Sequence, residues 1–161
     1  MSTRRFVTHS PEETVELGRQ LATELSPPVV LLLIGDLGAG KTTLTKGIAS
    51  GLGAASEEDV TSPTFTLVHE YQRRGAGSAN TPRVYHVDLY RIESAGEMAT
   101  LGLEDLVSDD RGVVIVEWGE KLGESFRNPW PGSRLLEVRI EAPSDTERQI
   151  EIHEAPPSTE D

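Results

Sequence analysis

Residues 29–43 read VVLLLIGDLGAGKTT: an apolar run, a glycine-rich turn carrying one lysine, and two hydroxyls. The run from Val29 to Ile34 offers water no polar face at either odd or even positions, which predicts a central strand covered on both sides. Gly35, Gly40, Lys41 and Thr42 fit the pattern G-x-x-x-x-G-K-[ST]. KTTLTKGIASGLG follows and reads as a helix ended by Gly51 or Gly53, so the pattern lies between strand and helix, as its chemistry requires. Bare backbone lets successive N–H groups curl around a phosphate, and the helix adds the positive end of its dipole. Lys41 then reaches the β- and γ-phosphates, and the Thr42 hydroxyl is placed to ligate Mg²⁺.

Working outward, a chain of 161 residues, 36% of them hydrophobic, suits one globular unit. We expect a single domain over 1–154 and a solvated acidic tail over 155–161, which ends in PPSTED. Lys and Arg number 15 against 27 Asp and Glu, a net charge of −12 that argues against unaided wrapping of RNA, because that needs clustered cations. Cys is absent, which excludes disulfide and thiolate chemistry and fits a reducing compartment. MSTRRFVTHS has no apolar stretch behind its arginines, and the oiliest run is far short of a membrane span. These features predict a soluble, unexported, cytoplasmic protein with no membrane partner.

Element types alternate along the chain. SPEETVELGRQLATEL, residues 10–25, opens with an N-cap serine, a proline at the first helical position and Glu13 three residues after the cap, predicting an amphipathic helix. TFTLVHEY and RVYHVDLY, residues 64–71 and 83–90, are β-rich runs around a Gly-, Ser- and Pro-containing hairpin loop over 73–82. SAGEMATLGLEDLV reads as broken helix, and GVVIVEW, residues 112–118, as another buried strand. RLLEVRIEA and RQIEIHE, residues 134–142 and 148–154, alternate like half-exposed antiparallel strands. The expected fold class is α/β, three-layered, with a mixed sheet whose parallel half binds nucleotide and whose edge is antiparallel.

A phosphate cradle binds but does not by itself hydrolyse; an acid at a neighbouring strand end must hold the metal or its water shell. Asp88 follows VYHV and Glu117 follows VVIV, the more uniformly apolar strand and so the expected neighbour of the phosphate-loop strand. Both close a strand, the edge at which open α/β sheets bind ligands. Glu117 is assigned to Mg²⁺, directly or through water, and Asp88 to the metal shell or the attacking water. TSPTF, residues 61–65, offers the hydroxyls of Thr61, Ser62 and Thr64 as a γ-phosphate-sensing switch, with Pro63 stiffening the loop. A small-molecule kinase shares this cradle, but the stretch 118–134 offers only Lys121, Arg127 and Arg134 for a lid. A non-catalytic nucleotide sensor is a further alternative.

GDLGAGKTT, TSPTFTLVHEY, HVDLYR and VIVEWGEK stand in the order and spacing of the bacterial TsaE (YjeE) family, which this chain resembles from about Val7 to about Ile152. The resemblance implies a P-loop NTPase fold and a Mg²⁺-dependent ATPase required for threonylcarbamoyladenosine formation on tRNA. Its catalytic set falls on Lys41, Asp88 and Glu117, with metal ligands Thr42 and Glu117. Its nucleotide-binding set is Pro11, Asp36, Gly38, Ala39, Gly40, Lys41, Thr42, Thr43 and Trp118, with Pro11 bordering the adenine. Choice of ATP rests on the resemblance, since the chain lacks the N-K-x-D guanine signature. The implied partners are TsaD and TsaB, with tRNA reached through their complex; the acidity suits docking on a basic surface. Arg73, Arg74 and Arg91 are candidates to face the partner or the γ-phosphate. Departures are Gly119 after the tryptophan and a longer loop over 73–82.

Overall fold

A computed structural model describes residues 2–36, 38–63, 67–72, 82–122 and 134–154. The first helix, α1 (Pro11–Ala22), starts as its sequence dictates: Ser10 is extended at φ −158° and its side chain accepts from the Glu13 N–H at 3.1 Å. Glu13 in turn accepts from the His9 N–H at 2.7 Å, so two backbone donors at the helix entrance are satisfied. The apolar run becomes strand β2 (Val29–Ile34), and the helix after the glycine-rich turn is α2 (Lys41–Gly51).

Strand β2 has parallel neighbours on both sides, β5 (Gly112–Glu117) and β6 (Arg134–Glu141), and β4 (Arg83–Asp88) extends the parallel set beyond β5. Two strand ends outside this parallel core run antiparallel: β3 (Val68–Tyr71) beside β4, and β7 (Arg148–Glu154) beside β6. β1 (Ser2–Thr8) pairs antiparallel with β7, giving the order β1-β7-β6-β2-β5-β4-β3. The mixed sheet is therefore as expected, with two corrections. Antiparallel pairing occurs at both edges, and β6 is a central strand that is parallel to β2 on one side and antiparallel to β7 on the other.

The period-two alternation of β2 divides the core. Val29, Leu31 and Leu33 pack in one cluster with Leu17 and Leu21 of α1 and Leu44 and Ile48 of α2. Val30 and Leu32 face the opposite cluster, which includes Tyr85, Val87 and two short helices, α3 (Ala95–Thr100) and α4 (Leu103–Val107), contributing Met98, Leu103 and Val107. Three layers result, with each aliphatic side chain of β2 contributing about 1.5–3 kcal/mol by leaving water. α1 and α2 cross closely where two glycines meet: a Cβ on Gly47 would stand 2.0 Å from the Val15 carbonyl oxygen, and one on Gly18 2.6 Å from that of Leu44. This contact draws the phosphate-loop helix down onto α1.

Candidate functional site

The sheet brings its parallel strands to one C-terminal edge in register. Leu33 of β2 pairs with Glu117 of β5, and Glu117 pairs with Asp88 of β4. Asp88 and Glu117 thus end adjacent strands side by side, 2% and 3% exposed, beneath the N-terminus of α2. Alternation places Val84, His86 and Asp88 on the same face of β4, as it does Val113, Ile115 and Glu117 on β5.

The glycine-rich turn needs backbone that other residues resist: Gly38 has φ 81° and Gly40 φ 111°. That shape turns the loop back on itself and starts α2 at Lys41. The Lys41 side chain, 5% exposed, folds over its own loop, Nζ donating to the carbonyl oxygens of Gly35 at 2.5 Å and Asp36 at 3.0 Å. The same ammonium lies 3.9 Å from the centre of the Trp118 ring, which is tilted against Tyr90 at 5.0 Å between centroids. Trp118 holds φ 61°, a left-handed conformation costly for a bulky residue, at the step from β5 into the 3₁₀ turn Gly119–Leu122. The turn leaves no room for a larger residue at position 119, where a Cβ would stand 2.8 Å from that of Leu32.

Thr42, on the first turn of α2, donates to Glu117 at 2.9 Å to Oε2 and 3.1 Å to Oε1. Ser62 donates to Asp88 Oδ2 at 2.7 Å, while the other Asp88 oxygen accepts from the Tyr90 N–H at 2.9 Å. These groups line a cleft of about 330 Å³ with Gly38, Gly40, Thr43, Tyr90 and Trp118. A smaller adjoining hollow of about 80 Å³ shares Gly38, Gly40 and Thr43 and is walled by Pro11, Ser10, Thr14 and Arg148.

Most sequence-predicted residues therefore converge. Gly38, Gly40, Lys41, Thr42, Thr43, Ser62, Asp88, Glu117 and Trp118 line one cleft, and Pro11 lines the hollow next to it. Asp36 enters by its carbonyl, with an exposed side chain, and Ala39 packs its methyl into the core. Thr61 presents its carbonyl to the Tyr71 hydroxyl at 3.3 Å, and Thr64 lies outside the described residues. Arg91 is exposed, whereas Arg73, Arg74 and the tail 155–161 lie outside the described residues.

Sequence reasoning missed His86, Tyr71, Tyr90 and Arg148. His86 is fully buried, and its Nε2 meets Glu117 Oε2 in a short hydrogen bond. The available signal was spacing: His86 sits two residues before Asp88, so a strand that presents the acid at the sheet edge presents the imidazole on the same face. Arg148 comes from β7, far away in sequence, and reaches the Gly38 carbonyl at 3.4 Å.

The donors suit a hard cation. The Thr42 hydroxyl stands 3.1 Å from Glu117 Oε1 and 2.9 Å from Oε2, and either spacing is close to that of adjacent ligands around an octahedral Mg²⁺ with bonds of about 2.1 Å. Among the described residues no group of three or more His, Asp and Glu stands ready to hold a metal ion. Among the same residues no helix is long and apolar enough to cross a membrane.

A sequence model of the family described as "Threonylcarbamoyl adenosine biosynthesis protein TsaE" matches residues 8–150. The chain is 39% identical over 150 residues to the tRNA threonylcarbamoyladenosine biosynthesis protein TsaE of Bacillus subtilis, covering 93% of this chain and 85% of that protein. It is 41% identical over 143 residues to the protein of that name from Mycobacterium tuberculosis, covering 86% and 79%. Among solved structures, the crystal structure of Bacillus subtilis YdiB superimposes with a TM-score of 0.67 at 34% identity, covering 94% of this chain and 84% of that one.

Proposed function

This chain belongs to the TsaE family, and from that membership and the geometry of its cleft we propose that it is a Mg²⁺-dependent ATPase serving threonylcarbamoyladenosine formation on tRNA. The observation that carries the enzymatic part is the pairing of Asp88 and Glu117 at adjacent strand ends, in the cleft that Gly38, Lys41 and Thr42 also line. A binding loop alone needs no such acids. Their burial, with each carboxylate oxygen oriented by a named donor, is the arrangement that holds a metal and a water in fixed positions.

In this reading the N–H groups around Gly38 and Gly40 and at the start of α2 grip the phosphates. The Lys41 ammonium leaves the carbonyls of Gly35 and Asp36 for the β- and γ-phosphate oxygens, following a short path inside the loop. Thr42 and Glu117 are the residues that would hold Mg²⁺, through the hydroxyl and the carboxylate that now bond each other. Bound Mg²⁺ supplies neutralisation of the charge that builds on the phosphate oxygens in the transition state. Asp88 accepts from and orients the attacking water, and Ser62 holds Asp88 Oδ2 in place. Trp118 and Tyr90 cover the lysine and limit water on that side of the cleft. Pro11 and Arg148 wall the hollow in which the nucleoside end fits, and the choice of ATP follows the family. Segment 61–64, with Thr61, Ser62 and Thr64, acts as the γ-phosphate switch.

TsaD and TsaB are the proposed partners, with tRNA held by them and not by this acidic chain, and the cytoplasm the proposed location. Release of labelled phosphate from ATP, measured with and without those partners and tRNA, tests the proposal. Release without any acceptor, altered by the partners, is the expected result; turnover only after addition of a metabolite would identify a small-molecule kinase. Hydrolysis is favoured over a kinase because two of the candidate lid cations are engaged elsewhere. Lys121 donates to the Tyr90 and Ile92 carbonyls, and Arg134 to Glu154 and the Glu24 carbonyl. Slow turnover indifferent both to partners and to Glu117→Ala would mark a nucleotide sensor.

A further inference from the structure

We propose that His86 and Tyr71 are positioning residues that couple segment 61–63 to the carboxylate of Glu117, so that the loop controls both acids of the cleft. The proposal rests on the reading of that cleft as a Mg²⁺-nucleotide site.

A fully buried histidine between Val84 and Ile115 occupies a place where the core would favour an aliphatic side chain. Such a polar group is tolerated only when bonded. Nε2 meets Glu117 Oε2, and because a carboxylate only accepts, Nε2 carries a hydrogen, which in the neutral imidazole leaves the lone pair on Nδ1. The Tyr71 hydroxyl lies 3.5 Å from that lone pair. It owns one hydrogen, which is directed to the Thr61 carbonyl at 3.3 Å, and the third group within its reach is His69 Nδ1 at 3.2 Å. Burial raises the Tyr71 pKa above its ordinary value, only partly offset by the Thr61 hydrogen bond, so the hydroxyl keeps that hydrogen.

One hydrogen facing several acceptors makes the position of segment 61–63 consequential. With the Thr61 carbonyl in place, the Tyr71 hydroxyl donates to the loop, and the roles of His69 Nδ1 and His86 Nδ1 toward it depend on their tautomers. When the loop moves and withdraws that carbonyl, the hydroxyl turns to His86 Nδ1, fixes the imidazole plane, and with it fixes Glu117 Oε2. Oε1 and the Thr42 hydroxyl are then the oxygens offered to the metal. The next residue of the same segment, Ser62, holds Asp88 directly at 2.7 Å. The loop thus reaches one acid through a single hydrogen bond and the other through two side chains.

The test uses the full chain with a non-hydrolysable ATP analogue, titrated calorimetrically with and without Mg²⁺, together with hydrogen exchange at the Thr61 and Ser62 amides. Tyr71→Phe keeps the ring and removes only the hydroxyl, and an unchanged unfolding midpoint within a few degrees establishes its integrity. Its metal-free analogue affinity is expected to stay within about twofold of the parent. The gain on adding Mg²⁺ is expected to fall at least about fivefold, the change one hydrogen bond commands, and the metal-dependent change in exchange at Thr61 and Ser62 is expected to be lost. His86→Gln, whose amide stands in for Nε2, is expected to retain more of the Mg²⁺ gain than His86→Asn, which substitutes on the Nδ1 side. A Tyr71→Phe protein with the full Mg²⁺ gain and the parental exchange response overturns the coupling alone. Absence of Mg²⁺-dependent uptake in the unsubstituted protein overturns the coupling together with the nucleotide reading beneath it.

Discussion

Glu117 accepts from Thr42 of α2 and from His86 of β4 while belonging to β5, so one carboxylate ties three elements at the point where chemistry is proposed. Glu117→Gln keeps the volume and removes the charge; phosphate release is expected to fall about 10²-fold, with analogue affinity in the absence of Mg²⁺ nearly unchanged, as single-turnover kinetics and calorimetry would show. Ser62→Ala removes the 2.7 Å donor to Asp88 Oδ2. We expect kcat to drop about tenfold and KM to move less than about threefold, since an orienting group acts on the transition state more than on binding. Lys41, Thr42 and the two acids were legible in the sequence because each is required by type at a fixed place: a loop lysine, the hydroxyl after it, a carboxylate closing an apolar strand. His86 and Tyr71 were not. Their role depends on which strands lie side by side: the spacing of His86 and Asp88 puts both on one face of a strand, but neither strand shows which residues stand across from it.

At the scale of elements, α2 is positioned by a helix crossing at which Gly18 and Gly47 bring the two backbones together. Gly47→Ala would place a methyl 2.0 Å from the Val15 carbonyl oxygen and 2.9 Å from the Gly18 Cα, both backbone atoms that cannot swing aside. The expected cost is about 1–3 kcal/mol of stability, together with weaker nucleotide binding as α2 and its N-terminal N–H groups lift from the sheet, read by chemical denaturation and calorimetry on the same protein. The elements that announced themselves did so by pattern: the capped α1, the two-sided apolar β2 and β5, and the alternating β6 and β7. β1 gave no such announcement, because STRRFVT has a half-buried Phe6 and an exposed Val7 and becomes a strand only by pairing with β7, Phe6 opposite Ile150. β6 alternates like a half-exposed antiparallel strand; parallel pairing with β2 makes it central, with Leu136, Val138 and Ile140 buried and Arg139 and Glu141 exposed.

For the whole molecule, acid and alkali act through a pair that lies away from the cleft. Tyr85 donates to Asp109 Oδ2 at 2.6 Å, and burial with that bond pushes the phenol up to about 12 from 10.0. Burial alone would raise the Asp109 carboxyl, but the bonds from Tyr85 and the Arg111 N–H, with Arg83 beside it, hold it below 3.8. A depressed carboxyl contributes stability that is present above its ordinary value and lost as pH falls through the folded one. A raised phenol contributes stability that is present below 10 and lost as pH climbs towards 12. Tyr85→Phe should therefore lower stability by about 1–2 kcal/mol at neutral pH and flatten the profile at both extremes, checked by denaturant unfolding from acid to alkali. The −12 net charge predicts a second global behaviour: association with a basic partner should slow as salt rises, measured as kon over a range of ionic strength. The central claim, that Thr42 and Glu117 give up each other for a metal held against a triphosphate, is tested most directly by a crystal structure of the chain with Mg²⁺ and a non-hydrolysable ATP analogue. The account predicts both oxygens on the metal, the phosphates against Gly38 to Thr43 and the Lys41 ammonium moved off the Gly35 carbonyl. An analogue seated elsewhere, or a Thr42 hydroxyl still bonded to Glu117 beneath a bound triphosphate, would contradict it.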